Sequence, residues 1–186
     1  MNTLETIFKR RSIRKFKPDK VDDKALELLL KAGMAAPTTA NNQPWEFVVV
    51  TDRDILTFLR EKLYFGKYIA PAAIVVCGNM KLAFSPPSTD YWVQDCSAAT
   101  ENILIAATGM GMGTLWVGLY PIQSKLAPVR KILNIPEHVI PLNIIYIGYG
   151  DEEKEARTQY NEDVVYWQSY DPERKHRARP KNMKKL

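Results

Sequence analysis

The apolar and polar residues of this chain follow two alternating patterns. Runs that are apolar at nearly every position predict strands of a sheet covered on both faces. Segments whose apolar residues recur every three or four positions predict helices packed on that sheet. The predicted strands are 46–51, 72–78, 114–119 and 142–149, and the predicted helices are 3–10, 21–34, 53–62, 92–107 and 123–133.

This alternation predicts one α+β domain over residues 1–170, followed by a basic tail over 171–186. Residues 81–91 contain a Pro-Pro pair and little periodicity, so they are expected to form a loop or lid. The predicted helix 92–107 carries small residues on several faces, which lets another helix approach closely. After a polar stretch, residues 164–167 read VVYW, and we expect this apolar segment to pack as an arm across a partner.

Charge is concentrated at the two ends of the chain. Seven of the 26 basic residues follow Asp171, against one acid, Glu173, so the rest of the chain is near neutrality. The tail lacks aromatic residues between its charges and lacks apolar periodicity, which favours a solvated terminus over a nucleic-acid surface. A basic protein that binds nucleic acid or another polyanion, without redox activity, remains the alternative to an enzyme.

The N-terminal cluster is the strongest indication of chemistry. Residues 9–20 read KRRSIRKFKPDK, with seven cations around one hydroxyl. Arg10, Arg11 and Arg14 carry planar, always charged groups suited to bidentate phosphate recognition, and Ser12 can bind the same oxygens. A solvated basic surface would give the same pattern.

Two other strings can contact a flat ligand. Residues 36–50 read APTTANNQPWEFVVV, a non-helical polar loop that runs into a strand, and its amides can pair with the edge of a heterocycle or simply close a turn. Residues 107–118 read ATGMGMGTLWVG, in which glycines follow a helix and precede a strand. That order is the reverse of a dinucleotide-binding fingerprint, so a doubly wound nicotinamide domain is not indicated.

Together these strings resemble the flavin-dependent nitroreductase family over most of the chain. The family's RRSxR string matches Arg10, Arg11, Ser12 and Arg14 in full. Its APSxxNxQPW string matches residues 36–45, with Thr38 in place of serine. A family helix of the form DxxxAxxNxLLAAxxxGxG is echoed over residues 95–113.

The resemblance implies a three-layer fold with a central mixed, mainly antiparallel sheet, in a domain-swapped homodimer whose FMN sites are shared between subunits. It implies that NADH or NADPH reduces FMN at N5 and that the flavin passes two electrons to a small electron-poor acceptor, such as a nitroaromatic compound or a quinone, by a ping-pong mechanism. Phosphate contacts would come from Arg10, Arg11, Ser12 and Arg14. Flavin contacts would come from Pro37, Thr38, Thr39, Asn41, Gln43, Leu115, Trp116, Val117 and Gly118, with Arg157 as a further phosphate contact.

The chain departs from the family at two positions. Many relatives carry an acidic residue where Val117 stands and a second basic residue where Gln159 stands, which leaves the nicotinamide preference open. No catalytic acid or base is assigned. Aromatic residues that could form a slot for the acceptor, or pack in the core and lid, are Tyr64, Phe65, Tyr68, Phe84, Tyr91 and Trp92.

The remaining sequence features indicate a cytoplasmic protein. No apolar run is long enough to span a bilayer, and the charged N-terminus lacks the apolar middle of a signal peptide. Cys77 and Cys96 fall in apolar patterns typical of buried residues, so a disulfide is not expected. With only His138 and His176 in the chain, neither a Cys/His nucleophile nor a zinc site is expected.

Overall fold

The computed structural model describes residues 2–63 and 68–174, and these fold as α+β. Five helices occur in this part of the chain: α1 Thr3–Lys9, α2 Asp23–Met34, α3 Arg53–Lys62, α4 Tyr91–Gly109 and α5 Gln123–Leu133. Four strands alternate with them: β1 Trp45–Val50, β2 Ala72–Asn79, β3 Gly113–Gly118 and β4 Val139–Gly148. Short 3-10 turns occur at Thr39–Asn41 and Glu162–Val164. The predicted order of elements is confirmed.

Side-chain caps explain where several helices begin. Asn2 and Glu5 form a reciprocal capping box at the start of α1. The carboxylate of Asp22 accepts the Lys24 N–H at α2, and that of Asp52 accepts the N–H groups of two residues at α3. Helix α5 ends at Leu133, and the residue that caps its C-terminus, Asn134, has a left-handed backbone with a φ of 52°. Short polar side chains therefore set these boundaries.

The four strands form one sheet in the order β1-β2-β4-β3, and every neighbouring pair is antiparallel. The antiparallel character expected from the sequence is confirmed, but the expectation of a mixed sheet is wrong for these strands. Among the described residues, parallel pairing is limited to a single bridge between Ser12 and Thr114. Strands β1 and β3 are the two edges.

Buried apolar clusters lie on both faces of the sheet, as the unbroken apolar strands predict. One cluster joins the sheet to α2 and α4 through residues such as Leu29, Ile103 and Ile145. The other joins it to α3 and α5 through residues such as Leu59 and Val129. The fully buried residues of helix α4 recur every three or four positions on one half of the helix, and most of its other residues are half-buried. No described helix is long and apolar enough to cross a membrane.

The chain divides into two compact units, one ending at Ala156 and the other beginning at Arg157. In the second unit the rings of Tyr166 and Tyr170 stack with their centroids 4.4 Å apart, and the Arg174 guanidinium lies 5.0 Å from the Tyr166 centroid. Trp167 is 79% exposed in this chain. Packing of the arm on a partner stays a prediction, and the tail beyond Arg174 lies outside the described residues.

Candidate functional site

Backbone bonds fix the N-terminal string to the ends of two strands. Ser12 and Thr114 form the parallel bridge, and the Ile13 N–H donates to the Thr114 carbonyl at 2.9 Å. Further along, the Lys17 N–H donates to the carbonyl of Tyr149 at 2.8 Å. Because main-chain groups make these bonds, the charged side chains of the string are not needed for them and lie at the edge beside β3.

The arginines of this string occupy different surroundings. Arg10 Nε lies 3.5 Å from a carboxylate oxygen of Glu101 on α4. The Arg11 guanidinium donates to the carbonyl of Glu155, and Arg14 Nη1 lies 3.5 Å from the Ser12 carbonyl. Arg10 and Arg11 are half-buried, whereas Arg14 is exposed. The three arginines are neighbours along one short segment, and each makes a contact with a different part of the chain.

Two residues that the sequence did not single out complete this region. Lys154 Nζ donates to the Ser12 carbonyl at 2.5 Å and lies 3.0 Å from Glu152. Glu152 also accepts the Arg14 N–H, and this bond is the main cause that lowers the pKa of its carboxyl, while burial opposes the shift. Both residues lie in the polar segment after β4, where no period or motif distinguishes them.

A buried hydroxyl without a partner lies at the same place. Thr114 is 1% exposed, and its Oγ1 has no hydrogen-bond partner within the described part of the chain. Buried polar atoms are nearly always satisfied, so an orphaned hydroxyl needs an explanation such as a ligand or water. Its position beside Ser12 and the arginines favours a polar ligand that the N-terminal string helps to hold.

Strand β3 supplies an open edge next to this cluster. Beyond the bridge at Thr114, its outer side has no partner strand among the residues described. Leu115 and Val117 point into the core, while Trp116 is 37% exposed and Gly118 is exposed. A Cβ placed on Gly118 would meet no atom within 4 Å. An edge strand with free space beside it can bind a flat ring through backbone groups.

The polar loop that includes Pro37, Thr38, Thr39, Asn41 and Gln43 is held on helix α4. The Thr39 N–H and hydroxyl both donate to one carboxylate oxygen of Asp95, at 2.9 and 3.2 Å. Inside the loop, the Gln43 N–H donates to the Thr38 hydroxyl, and the Gln43 amide donates to Asn41. Pro37, Asn41 and Gln43 are exposed, so this loop presents amides to solvent in a defined shape.

The aromatic residues suggested for an acceptor slot lie in different surroundings. Trp92 is 2% exposed and packs edge-on against Tyr120 with ring centroids 5.0 Å apart, so it is a core residue. Phe84 and Tyr91 are exposed, whereas Tyr68 packs edge-on against Tyr146. Tyr64 and Phe65 lie outside the described residues.

Arg157, the further phosphate contact that the resemblance implies, belongs to the second unit, where it is exposed.

Comparison with known proteins identifies the family. The model of the nitroreductase family matches residues 7–72 and 56–149. The chain belongs to the nitroreductase family. The resemblance that the sequence strings indicate is thereby confirmed, together with the expected class of enzyme, an oxidoreductase.

Three relatives illustrate this membership. A proposed NADH dehydrogenase/NAD(P)H nitroreductase of Archaeoglobus fulgidus is 44% identical over 168 residues, which cover 88% of this chain and 95% of that protein. An FMN-dependent nitroreductase structure from Clostridium difficile is 30% identical with a TM-score of 0.80, and the match covers 90% of this chain and 99% of that one. The NADPH:FMN oxidoreductase of Vibrio harveyi, solved with NAD+, is 27% identical with a TM-score of 0.81, over 92% and 79% of the two chains.

Proposed function

We propose that this nitroreductase-family chain is an NAD(P)H-dependent FMN oxidoreductase that reduces small electron-poor acceptors. The observation that carries the proposal is the arginine string beside the open edge of β3. FMN, when bound, accepts a hydride from NADH or NADPH and passes two electrons to a second substrate. The relatives named for FMN and NAD(P)H support the same pair of cofactors.

The residues at the edge of β3 fit the two ends of FMN. Arg10, Arg11, Ser12 and Arg14 would hold the phosphate, because guanidinium groups bind phosphate oxygens by charge-assisted hydrogen bonds. The orphaned Thr114 hydroxyl lies beside Ser12, where it could complete this polar site. Residues 115–118 would lie along the ring, with backbone N–H groups directed at its electron-rich atoms.

Helix α4 suggests that two subunits share each site. It binds the loop through Asp95 and the arginine string through Glu101, six residues later. Six residues advance a helix by about 9 Å and turn it by about 600°, so the two side chains leave α4 about 120° apart. Within one protomer the two strings thus lie on different faces of α4, which supports a flavin bound by the string of one subunit and the loop of another.

Exposed apolar residues on the neighbouring helices support a homodimer. On α1, Leu4 is 63% exposed, and Ile7 and Phe8 are each 40% exposed. On α2, Leu28 and Met34 are each 52% exposed. Both helices pack against α4. A second copy of the chain would cover this surface, and we infer an obligate dimer in which Arg157 and the arm from residue 157 complete the partner's site.

The open edge of β3 supports a proposal for the kinetic order. Donor and acceptor would use the same space beside Trp116 and Gly118 in turn, which gives ping-pong kinetics. Two buried thiols accord with a cytoplasmic location, since burial raises the pKa of both Cys77 and Cys96 to about 12 and keeps them protonated. A reducing compartment, in which disulfides are rare, is part of the proposal.

The decisive experiment removes the phosphate contacts. We expect Arg11→Ala and Arg14→Ala each to weaken FMN binding by about 10- to 100-fold, since a hydrogen bond to a charged group contributes about 1.5–3 kcal/mol. Flavin fluorescence titration of the flavin-free protein measures the dissociation constant. Lys131→Ala is the matched control, because this exposed lysine lies on α5, on the face of the sheet opposite to α2 and α4.

The same preparation separates the two classes of function. The oxidoreductase should be yellow, should oxidise NADH or NADPH anaerobically and should give parallel lines in double-reciprocal plots as the acceptor is varied. A colourless protein whose retention on a polyanion column falls steeply with salt would support the nucleic-acid alternative instead. Unchanged FMN affinity in the double Arg11→Ala, Arg14→Ala variant would remove the phosphate assignment.

A further inference from the structure

A cavity lies away from the residues assigned to the flavin. It has a volume of about 440 Å³ and opens between helix α3, the end of β1 and the segments 17–20 and 68–71. This volume is within the range of about 300–1,000 Å³ that small-molecule sites occupy. None of residues 10–14 or 114–118 lines it, so it is distinct from the edge of β3.

Four cations surround this cavity. Arg53 and Arg60 lie seven residues apart on α3, with Leu56 and Thr57 between them on the same face of the helix. That spacing sets the two arginines about 10 Å apart along the helix axis. Lys17 and Lys20 line the cavity from the N-terminal segment.

The four cations have no acidic partner within the described residues. The ion pairs in this part of the chain involve other cations, and no acid lines the cavity. Asp52 is adjacent to Arg53 in sequence, but its carboxylate caps α3 by accepting two backbone N–H groups at 2.9 Å. A concave site lined by one sign of charge, with apolar walls, focuses the electric field and concentrates counter-ions.

One wall of the cavity is apolar and partly exposed. Ile69 is 72% exposed, and it lies between Tyr68 and Ala70 in the segment that precedes β2. Leu56 contributes to the cavity from α3 and is itself almost fully buried in the core. Cations beside an aromatic and an aliphatic surface suit a ligand with a charged group at one end and a ring at the other.

We propose that this cavity binds a phosphate monoester that carries a planar ring, of about the size of a mononucleotide. A phosphate monoester brings a charge of about −1.5 to −2 at neutral pH, which compensates several cations better than a single carboxylate does. Arg53 and Arg60 provide planar donor groups for its oxygens, with Lys17 and Lys20 as mobile point charges. Tyr68, Ile69 and Pro71 contact the ring. This site does not depend on the proposed flavin chemistry.

Isothermal titration of the purified full chain with adenosine monophosphate, in a buffer free of phosphate and sulfate, tests the proposal. We expect saturable binding of one molecule per chain. Adenosine and inorganic phosphate should each bind at least tenfold more weakly, because each lacks half of the recognised features. Arg53→Gln and Arg60→Gln should each weaken binding about tenfold or more. Lys62→Gln is the matched control on the same helix, since Lys62 lies over Phe58 and does not line the cavity.

Ile69→Ser tests the ring contact at an exposed position that does not threaten folding. It should weaken the binding of adenosine monophosphate but leave the binding of inorganic phosphate unchanged. Flavin absorbance, recorded in the same titration, separates the two sites. Displacement of flavin by adenosine monophosphate, absence of saturation, or equal affinity in the Arg53→Gln, Arg60→Gln and Lys62→Gln variants would each overturn the proposal.

Discussion

Replacing Asp95 by alanine should release the polar loop from helix α4. One carboxylate oxygen of Asp95 accepts both the N–H and the hydroxyl of Thr39, and the residue is 6% exposed. The loop also contains Ala40, Asn41 and Gln43 with φ angles of 49°, 56° and 49°. Left-handed backbone costs about 1–2 kcal/mol at a residue with a Cβ, so the loop keeps this shape only if its surroundings hold it.

The expected magnitude follows from the two bonds. A hydrogen bond to a charged acceptor contributes about 1.5–3 kcal/mol, and removal of a nearly buried carboxylate also removes its cost of desolvation. We therefore expect Asp95→Ala to lower the free energy of unfolding by about 1–3 kcal/mol. Asp95→Asn, which keeps an acceptor without the charge, should lose about half as much.

Equilibrium urea unfolding at one fixed protein concentration measures this change, because the stability of the proposed dimer would depend on concentration. Asp90→Asn is the control, since Asp90 stands at the start of α4 and makes no side-chain capping bond. Under the proposed function FMN affinity should fall with stability in the Asp95 variants and stay unchanged in the control. An unfolding free energy within about 0.5 kcal/mol of wild type for Asp95→Ala would refute the reasoning.

Two further predictions concern packing and pH. A Cβ on Gly78 would lie 2.3 Å from the Trp92 ring, so Gly78→Ala should lower thermal stability by at least about 1–3 kcal/mol, whereas Gly118→Ala, in an open position, should cost less than about 1 kcal/mol by calorimetry. Because the folded-state pKa of Glu152 is lowered from 4.5, its contribution is present above pH 4.5 and is lost as pH falls through the folded-state value. Glu152→Gln should therefore make urea stability less dependent on pH below 4.5, and an identical slope in both proteins would contradict this.

Strong periodicity and clear caps made most elements predictable from the sequence. Helices α3 and α5 span the predicted residues at both ends. Strand β4 begins at Val139, earlier than the predicted start at Leu142, and Pro141 lies within it. The register shift opposite Val76 and Cys77 leaves Leu142 as an extra residue beside Pro141. A bulge accommodates a residue that has no N–H to donate, and only the pairing with β2 reveals it.

The residues of the candidate site that belong to a sequence motif could be predicted. Those that reach the site through tertiary contacts could not. The arginine string and the polar loop were recognisable as strings. Lys154 and Glu152 reach the string only because β4 ends beside β3, which no local pattern encodes. The sequence suggested Trp92 for an aromatic slot. In the structure its ring packs directly on Gly78 of β2 and leaves no room there for a Cβ. A glycine inside a strand was the one sequence signal for that close approach.

Helix α4 connects the fold to the site through polar bonds as well as through an apolar stripe. Its fully buried residues recur every three or four positions on one half of the helix, and hydrogen bonds add to this stripe in fixing its rotation. Asp95 accepts from Thr39, and the Thr100 hydroxyl accepts from the Asn143 amide. Glu101 forms an ion pair with Arg10, and the Asn102 amide donates to the Ala32 carbonyl. A shift of one residue would turn the helix by about 100° and break all of them together. The loop is bound at Asp95 and the arginine string at Glu101. The rotation of α4 therefore fixes the position of the loop relative to the arginine string.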